Sequence, residues 1–396
     1  MRIAFCVQRY GAEVAGGAEA LCRRTAQALA RSGDEVVVYT TTARDYLRWE
    51  PHYPPGARRD GAVQVRRFDV RPADPETASA LVRRLNLAPG DPEAERAWAL
   101  AQGPVSPGLI AALHREGRRH EVVVFWTYLY AHAQLGLPPL AERAVLVPLA
   151  HDEPMLRFTL SRGLTRAAAG LAFMTPEEAL LVDDMHGVGR RPAAVVGTGL
   201  DPVPPARAGA GAPPPRTGAI DPGYALYLGR LDPAKGVAEL LRFHAAYRRD
   251  GGRLGLVLAG RPTVPLQLPP WARATGWVDD DARARLLEDA AAVVLPSRYE
   301  SLSLVALEAW QRARPTLANG LSEVLAGQTA RSGGGLVYRD AGEYARELRR
   351  LERYPALGDR MGEEGRRFTR ALTWPAAVRR WRALLAQVRR PVEAGR

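Results

Sequence analysis

Residues 291–310 read AAVVLPSRYESLSLVALEAW. Ala291–Leu295 is a short unbroken apolar run, the pattern of a strand buried on both faces of a parallel sheet. Pro296 closes it, and after a polar loop a helical period takes over from about Ser303. A strand running through a short loop into a helix is half of a βαβ unit. The same unit recurs on both sides of this stretch. Upstream lie a strand Tyr224–Leu228, a helix from about Val237, and strands Leu254–Ala259 and Ala274–Val278, then a helix over Asp281–Asp289. Downstream come strands Thr316–Ala318 and Leu336–Tyr338, then a helical tail over about 340–391 in which Trp374–Pro375 marks a fresh helix start.

The first half alternates in the same way, with strands expected at Arg2–Val7, Glu35–Thr41, Val63–Phe68, Glu121–Trp126, Arg143–Leu149, Gly170–Met174 and Ala193–Val196. Gly17–Arg31 places Ala18, Leu21, Cys22, Ala26, Leu29 and Ala30 on one helical stripe, with Gly33 as its stop. Between the halves stands PVPPARAGAGAPPPRTGAI, residues 202–220, which reads as an exposed linker. The expected fold class is therefore α/β, two doubly wound Rossmann-like domains facing across a cleft. The domains are 1–201, the linker 202–220, a second domain 221–372, and a C-terminal helix over 373–396 that could pack back on the first domain.

The totals exclude several classes. With 396 residues, 46% hydrophobic and 25% charged, the chain has an ordinary globular balance, neither disordered nor fibrous. No run reaches the roughly 18 apolar residues of a membrane span. The opening MRIAFCVQRYG reads as a strand, without a signal peptide's pattern. Cys6 and Cys22 are too few for a disulfide scaffold or a thiolate zinc site, so the expected compartment is cytoplasmic. The formal net charge is +12. Residues 1–201 contribute +1 of it and residues 202–396 contribute +11. From Arg339 onward that excess is spread over amphipathic helices, with no aromatic-interleaved stripe or zinc knuckle, so a solvated basic surface is expected rather than a nucleic-acid site. Of the basic residues, 54 are Arg and one, Lys235, is Lys.

In open parallel sheets ligands sit at the carboxyl ends of strands, where helix N-termini present free amides to anions. Three loops qualify. The first, Arg9–Gly17, ends in Gly16-Gly17, which lets backbone approach a phosphate but equally fits a plain strand-to-helix turn; it lacks the G-x-G-x-x-G of a dinucleotide site. The second, GRLDPAKG over 229–236, brackets a tight turn with Arg230 and Lys235, a fixed fork and a mobile point charge that could both reach a diphosphate. In the third, Pro296–Glu308, Glu300 ends the loop and Glu308 lies in an apolar helix (LVALEAW). A carboxylate there needs a partner, which sugar or ribose hydroxyls or a structural Arg would supply. Amides of about Leu302 to Val305, Ser303 and Leu304 included, are the expected free donors.

With these residues the chain resembles the retaining family 4 glycosyltransferases of the GT-B fold. Glu300 and Glu308 have the spacing of that family's E-x7-E signature. GRLDPAKG is similar to its phosphate loop, and ATGWVDDDARARLLEDA (274–290) to its approach to the signature strand. VVGTGLD (195–201) resembles the end of its first domain. The likeness is closest over about 195–340, looser over 1–45 and 143–201, and faint over 46–140. It implies that Arg230 and Lys235 neutralise the donor diphosphate and that Glu308 binds ribose hydroxyls. Glu300 would hold the transferred sugar, while Gly16 and Gly17 pack against the phosphate. His151, in LVPLAHDEP, would stand beside the donor sugar with Asp152 next to it.

The resemblance further implies a metal-independent enzyme without a cofactor, moving a sugar from a nucleoside-diphosphate sugar with retention. The acceptor would be a carbohydrate, a lipid-linked species or a small molecule, in glycan, glycolipid or natural-product glycoside biosynthesis, with at most weak peripheral membrane contact. A sugar-nucleotide epimerase or a non-catalytic nucleotide-sugar-binding protein are the alternatives; a phosphorylase would need Lys235 for pyridoxal phosphate. Three departures stand out. Ser303 occupies a position where the family usually has Gly, which is expected to narrow the pocket. Thr198 replaces an Asn before Gly199, and Gly334 replaces an Asn in SEVLAGQTARSGGGLVYRD (322–340).

Overall fold

A computed structural model describes residues 1–14, 16–87, 90–203, 223–263, 265 and 267–392. Most of the expected linker, residues 204–220, lies outside the described residues. The chain divides into two units, Met1–Gly199 together with the stretch from Thr373 onward, and Leu200–Leu372.

In the first unit the chain runs β1 (Arg2–Cys6), α1 (Gly17–Arg31), β2 (Glu35–Thr41), β3 (Gly56–Asp60), β4 (Val63–Phe68), α2 (Pro75–Leu87), α3 (Pro92–Gln102) and α4 (Pro107–Glu116). It continues through β5 (Val122–Trp126), α5 (Ala131–Gly136), β6 (Ala144–Val147), α6 (Thr159–Ala167), β7 (Gly170–Phe173), α7 (Pro176–His186) and β8 (Ala193–Val195). The sheet order is β3-β4-β2-β1-β5-β6-β7-β8, parallel except for the antiparallel edge β3. Val122, Val123, Val124, Phe125 and Trp126 are all fully buried, because helices cover both faces of a parallel sheet and leave no solvent side for alternation. β3, GARRD, was not among the expected strands. It is solvent-exposed and carries no apolar alternation, so pairing with β4 alone makes it a strand.

The second unit contains β9 (Tyr224–Leu228), α8 (Val237–Arg249), β10 (Gly255–Ala259), β11 (Ala272–Gly276), α9 (Asp280–Asp289), β12 (Ala292–Leu295) and α10 (Leu304–Gln311). It ends with β13 (Thr316–Asn319), α11 (Glu323–Ser332), β14 (Gly335–Tyr338), α12 (Ala341–Arg353) and α13 (Pro355–Arg370). Its strands order as β11-β10-β9-β12-β13-β14, all parallel. β11 begins two residues before the expected Ala274 and ends at Gly276, whose φ of +73° turns the backbone out of the strand. Around the tail the arginine excess is partly matched on helix surfaces, as in Arg366–Glu363 and Arg367–Glu364, both at 2.7 Å.

The last helix, α14 (Trp374–Val388), belongs to the first unit. Trp381 is buried with its ring centroid 6.1 Å from Trp126 and 6.3 Å from Phe5. Arg382 pairs at 2.9 Å with Asp34, whose other oxygen holds the N-terminal amine at 2.8 Å. Gly199 packs so closely on Trp374 that a Cβ would stand 2.5 Å from its ring, which accounts for glycine there. Thr198, in the expected Asn position, turns its hydroxyl onto the Gly199 carbonyl at 2.9 Å.

Candidate functional site

In the second unit the strand order reverses direction at β9, which has β10 on one side and β12 on the other. Loops leaving such a pair diverge to opposite faces and open a crevice at the carboxyl ends. The loop after β9 carries Arg230 and Lys235, and the loop after β12 carries Glu300. Register pairing of Ala225 with Ala292 and Leu226 with Val293 brings residues some 70 positions apart into adjacent loops. Lys235 Nζ and Glu300 Oε1 meet at 2.9 Å, both partly exposed.

Local chemistry shapes the first of these loops. Asp232 accepts from the Ala234 amide at 2.8 Å through Oδ1, and its carbonyl accepts from the Lys235 amide at 3.0 Å. This Asx turn holds the single helical turn Pro233–Lys235. Its Oδ2 lies 3.7 Å from Arg230 Nη1, and the Tyr227 hydroxyl donates to the Arg230 carbonyl at 2.7 Å. Gly236 then takes φ +76°, and a Cβ there would stand 2.7 Å from the Pro296 carbonyl. Glycine is thus what lets the two loops touch. From the far side, Asn319 at the end of β13 donates to the same Pro296 carbonyl at 2.9 Å. Asp232 and Asn319 were not among the expected site residues; their signal was a turn-forming acid and a strand-end amide, both common in any sequence.

The α10 N-terminus departs from expectation. Ser303 is its N-cap, accepting from the Ala306 amide at 3.2 Å, while its own amide donates to Gln328 Oε1 at 2.9 Å. The Ser303 amide is therefore not a free donor, whereas the amides of Leu302, Leu304 and Val305 have no hydrogen-bond partner among the described residues. The Ser303 side chain is 6% exposed, with its hydroxyl folded onto its own helix. Gly334 also has a packing reason. Its carbonyl accepts from Trp310 Nε1 at 2.8 Å, and any Cβ would overlap the indole. Glu308 pairs with Arg283 of α9, the structural-arginine partner that its place in an apolar helix left open.

In the first unit, Gly16 is the N-cap of α1, and a Cβ on it would overlap the Glu19 carboxylate. Glu19 is buried and accepts from Arg9 at 2.5 Å and from Gln8 at 2.8 Å. Gly16 is thus required by the chain's own buried ion pair; Gly17 has nothing within 4 Å of where a Cβ would stand.

His151 follows β6 through Leu149, a non-glycine residue at φ +53°; Thr127 after the neighbouring β5 sits at φ +62°. Left-handed backbone at a non-glycine residue costs roughly 1–2 kcal/mol and concentrates at functional sites. What holds this turn is Glu178 of α7. It is fully buried, accepts from the Ala150 amide at 2.8 Å and the Met174 amide at 2.7 Å, and so ties the β6 and β7 ends together. Burial pushes its pKa up to about 7 against the pull of those amides and of His151. His151 Nδ1 lies 3.1 Å from Glu153 Oε1, which also accepts from the Tyr128 hydroxyl at 2.6 Å. Asp152 turns outward to Arg157 at 2.5 Å, an exposed pair of little energetic weight. Among the described residues no cluster of His, Cys, Asp or Glu is arranged to hold a metal ion, and no helix is long and apolar enough to cross a membrane.

With this geometry in view, comparison with known proteins gives a family match to part of the chain and a fold. Residues 222–353 match the family model of the group 1 glycosyl transferases. Glycogen synthase of Mycobacterium tuberculosis is 33% identical over 207 residues, which is 49% of this chain and 48% of that protein. The chain thus spans about half the length of this curated relative. Among solved structures, sucrose-phosphate synthase from Thermosynechococcus elongatus superposes with a TM-score of 0.67 at 19% identity, covering 98% of both chains. An E. coli structure described as trehalose-6-phosphate bound with UDP-2-fluoro glucose gives 0.66 at 14% identity, over 98% of this chain and 100% of that one. The fold is GT-B.

Proposed function

We propose that this protein is a retaining glycosyltransferase of family 4 type that moves a sugar from a nucleoside-diphosphate sugar to an acceptor hydroxyl. The observation that carries the reading is the Lys235–Glu300 pair at the β9/β12 reversal, with the chain's one ammonium on a loop at the carboxyl end of a parallel sheet. The group 1 family match over 222–353 contains that whole arrangement. In this reading Arg230 and Lys235 take the donor diphosphate and Glu300 the transferred sugar's hydroxyls. The open amides of Leu302, Leu304 and Val305 face the same ligand at a helix N-terminus. Glu308 takes the ribose, and Ser303 contributes as the cap that sets those amides. Gly16, Gly17, His151 and Asp152 of the first unit are assigned to the donor as well.

The chemistry follows from charge. The bond from the anomeric carbon to the diphosphate breaks as the acceptor oxygen bonds on the same face, and the departing phosphate oxygen takes the acceptor's proton. Arg230 and Lys235 stabilise the charge that develops on the leaving group, the work a divalent cation does elsewhere. No metal or cofactor is therefore assigned. A carbohydrate, lipid-linked or small-molecule acceptor fits equally. The reading includes a cytoplasmic location, in keeping with two free, buried cysteines, and no nucleic-acid partner.

The test begins with melting-temperature shifts against UDP-, GDP-, ADP- and TDP-sugars, followed by transfer assays with and without a chelator. A donor should stabilise the protein, and Lys235→Ala should lower kcat at least about 100-fold, as for loss of one preorganised stabilising group. Near-wild-type turnover in Lys235→Ala would overturn the assignment. Donor turnover without any acceptor would move it to an epimerase, and binding with no chemistry to a binding protein.

A further inference from the structure

Two residues of the second unit break the pattern of the helices that carry them. Glu308 sits in the apolar run of α10. Arg283 lies on the stripe 283, 286, 287, 290 of α9 and its C-cap, where Leu286, Leu287 and Ala290 are all at most 1% exposed. Helical periodicity calls for an apolar residue at 283. The two exceptions meet each other, Arg283 Nη2 against Glu308 Oε2, with side chains 33% and 15% exposed. Around them Arg312, 14% exposed, faces Glu308 and lies 3.7 Å from Glu288. The quartet draws one acid and one base from each helix region, and its charges sum to zero.

Stability does not explain such a pair. A half-buried ion pair gains little over two well-packed apolar residues, because desolvation of both charges offsets their attraction. What it supplies is orientation. A glutamate on a helix has free side-chain torsions, and a vicinal diol is bound well only when the carboxylate plane is fixed. A guanidinium fixes that plane more firmly than a point charge.

We propose that Arg283 is a positioning residue, holding the Glu308 carboxylate in the orientation that accepts the hydroxyls of the donor's ribose. The proposal rests on the reading of Glu308 given above. Arg283 itself touches no substrate; it acts through Glu308, and so governs the protein's preference for ribose over a sugar lacking those hydroxyls.

The experiment measures calorimetric affinity for uridine diphosphate and for its 2′,3′-dideoxy form, in wild type, Glu308→Gln, Arg283→Leu and Arg283→Lys. The guanosine or adenosine pair replaces it if the donor screen selects that base. Hydrogen bonds to a charged group imply that wild type prefers the ribose form by roughly 10- to 100-fold. Arg283→Leu should reduce that ratio to about threefold or less, with affinity for the dideoxy form changed less than about twofold; Arg283→Lys should fall between. A purely structural role would lower the melting temperature and leave the ratio intact. If the ratio is lost in Glu308→Gln but kept in Arg283→Leu, the role of Arg283 is overturned and the ribose reading stands. If wild type shows no preference, the ribose reading fails and the proposal falls with it. Should Arg283→Leu not fold, Arg283→Lys decides, a ratio equal to wild type counting against the proposal.

Discussion

Glu178 turns the geometry beneath His151 into a measurable pH dependence. Its carboxylate is fully buried between two amide donors, and its pKa rises from 4.5 to about 7 chiefly through burial. Between those two values the folded protein holds the proton and the unfolded chain has lost it. Unfolding therefore releases a proton, and stability falls as pH rises through this window. The fall is complete just above pH 7 and is absent below about pH 4.5. A displacement of this size corresponds to about 3 kcal/mol. Glu178→Gln cannot titrate, but its side-chain nitrogen donates only and meets one of the two backbone amides donor to donor, an offset that does not change with pH. The variant should therefore lie below wild type by about 1–3 kcal/mol at pH 5 and regain about 2–3 kcal/mol relative to it by pH 8. For a unit of this size that is a relative rise in melting temperature of about 5–10 °C. Thermal melts of both proteins from pH 5 to pH 8 read it directly, since every other titrating group is common to the two. A difference in melting temperature constant to within about 2 °C across that range would refute the argument, and with it the view that this carboxylate stabilises the turn at the expense of its own charge.

Two further expectations concern the loops of the second unit. Gly260 follows β10 at φ +156°, and a Cβ there would overlap the Gly229 carbonyl, so Gly260→Ala should lower the unit's stability by about 2 kcal/mol or more, seen as a lower denaturant midpoint with unchanged slope. Ser303→Gly removes a cap oxygen but keeps a residue tolerated at N-caps, so it should cost only a few tenths of a kcal/mol. Donor affinity in that variant should stay within about threefold of wild type; a larger gain in affinity would show that the serine side chain does obstruct the ligand.

The parts of this molecule legible in its sequence are those fixed by local pattern. Continuous apolar runs closed by a turn residue, such as AVVL over 292–295 before Pro296, fit strands covered on both faces, and GRLDPAKG and the Glu300–Glu308 spacing lie where strand gives way to helix. What escaped was whatever depends on strands being neighbours in space but not in sequence. Nothing local in GARRD marks β3, because register with β4 makes it a strand. The Lys235–Glu300 pair follows from β9 lying beside β12, which periodicity does not encode. Glu178 reads in sequence as an ordinary helix-start acid after Thr175, whose hydroxyl does cap its amide at 3.3 Å; only the β6 turn above it makes that acid a tie between strands. Arg283 was masked for a different reason. In a chain with 54 arginines, one more on a helix carries no signal until the facing helix is known.

That arginine background is what gives the lysine its meaning. A guanidinium at 235 facing Glu300 would settle as a two-point fork on the carboxylate, a geometry that resists exchange. An ammonium makes one contact at a time from a flexible stem with three rotatable donors, so Lys235 can hold Glu300 at 2.9 Å and, on the proposed reading, still redirect to a donor phosphate without dismantling a bidentate pair. Its neighbour obeys the opposite logic. The Tyr227 hydroxyl holds the Arg230 carbonyl, and the Arg230 guanidinium faces Asp232 at 3.7 Å, a planar fork beside a mobile point charge. A planar fork and an exchangeable ammonium on the same short loop suit the proposed donor, whose charge would move during transfer. A purely binding role needs only the first kind, and it is the second that argues for transfer.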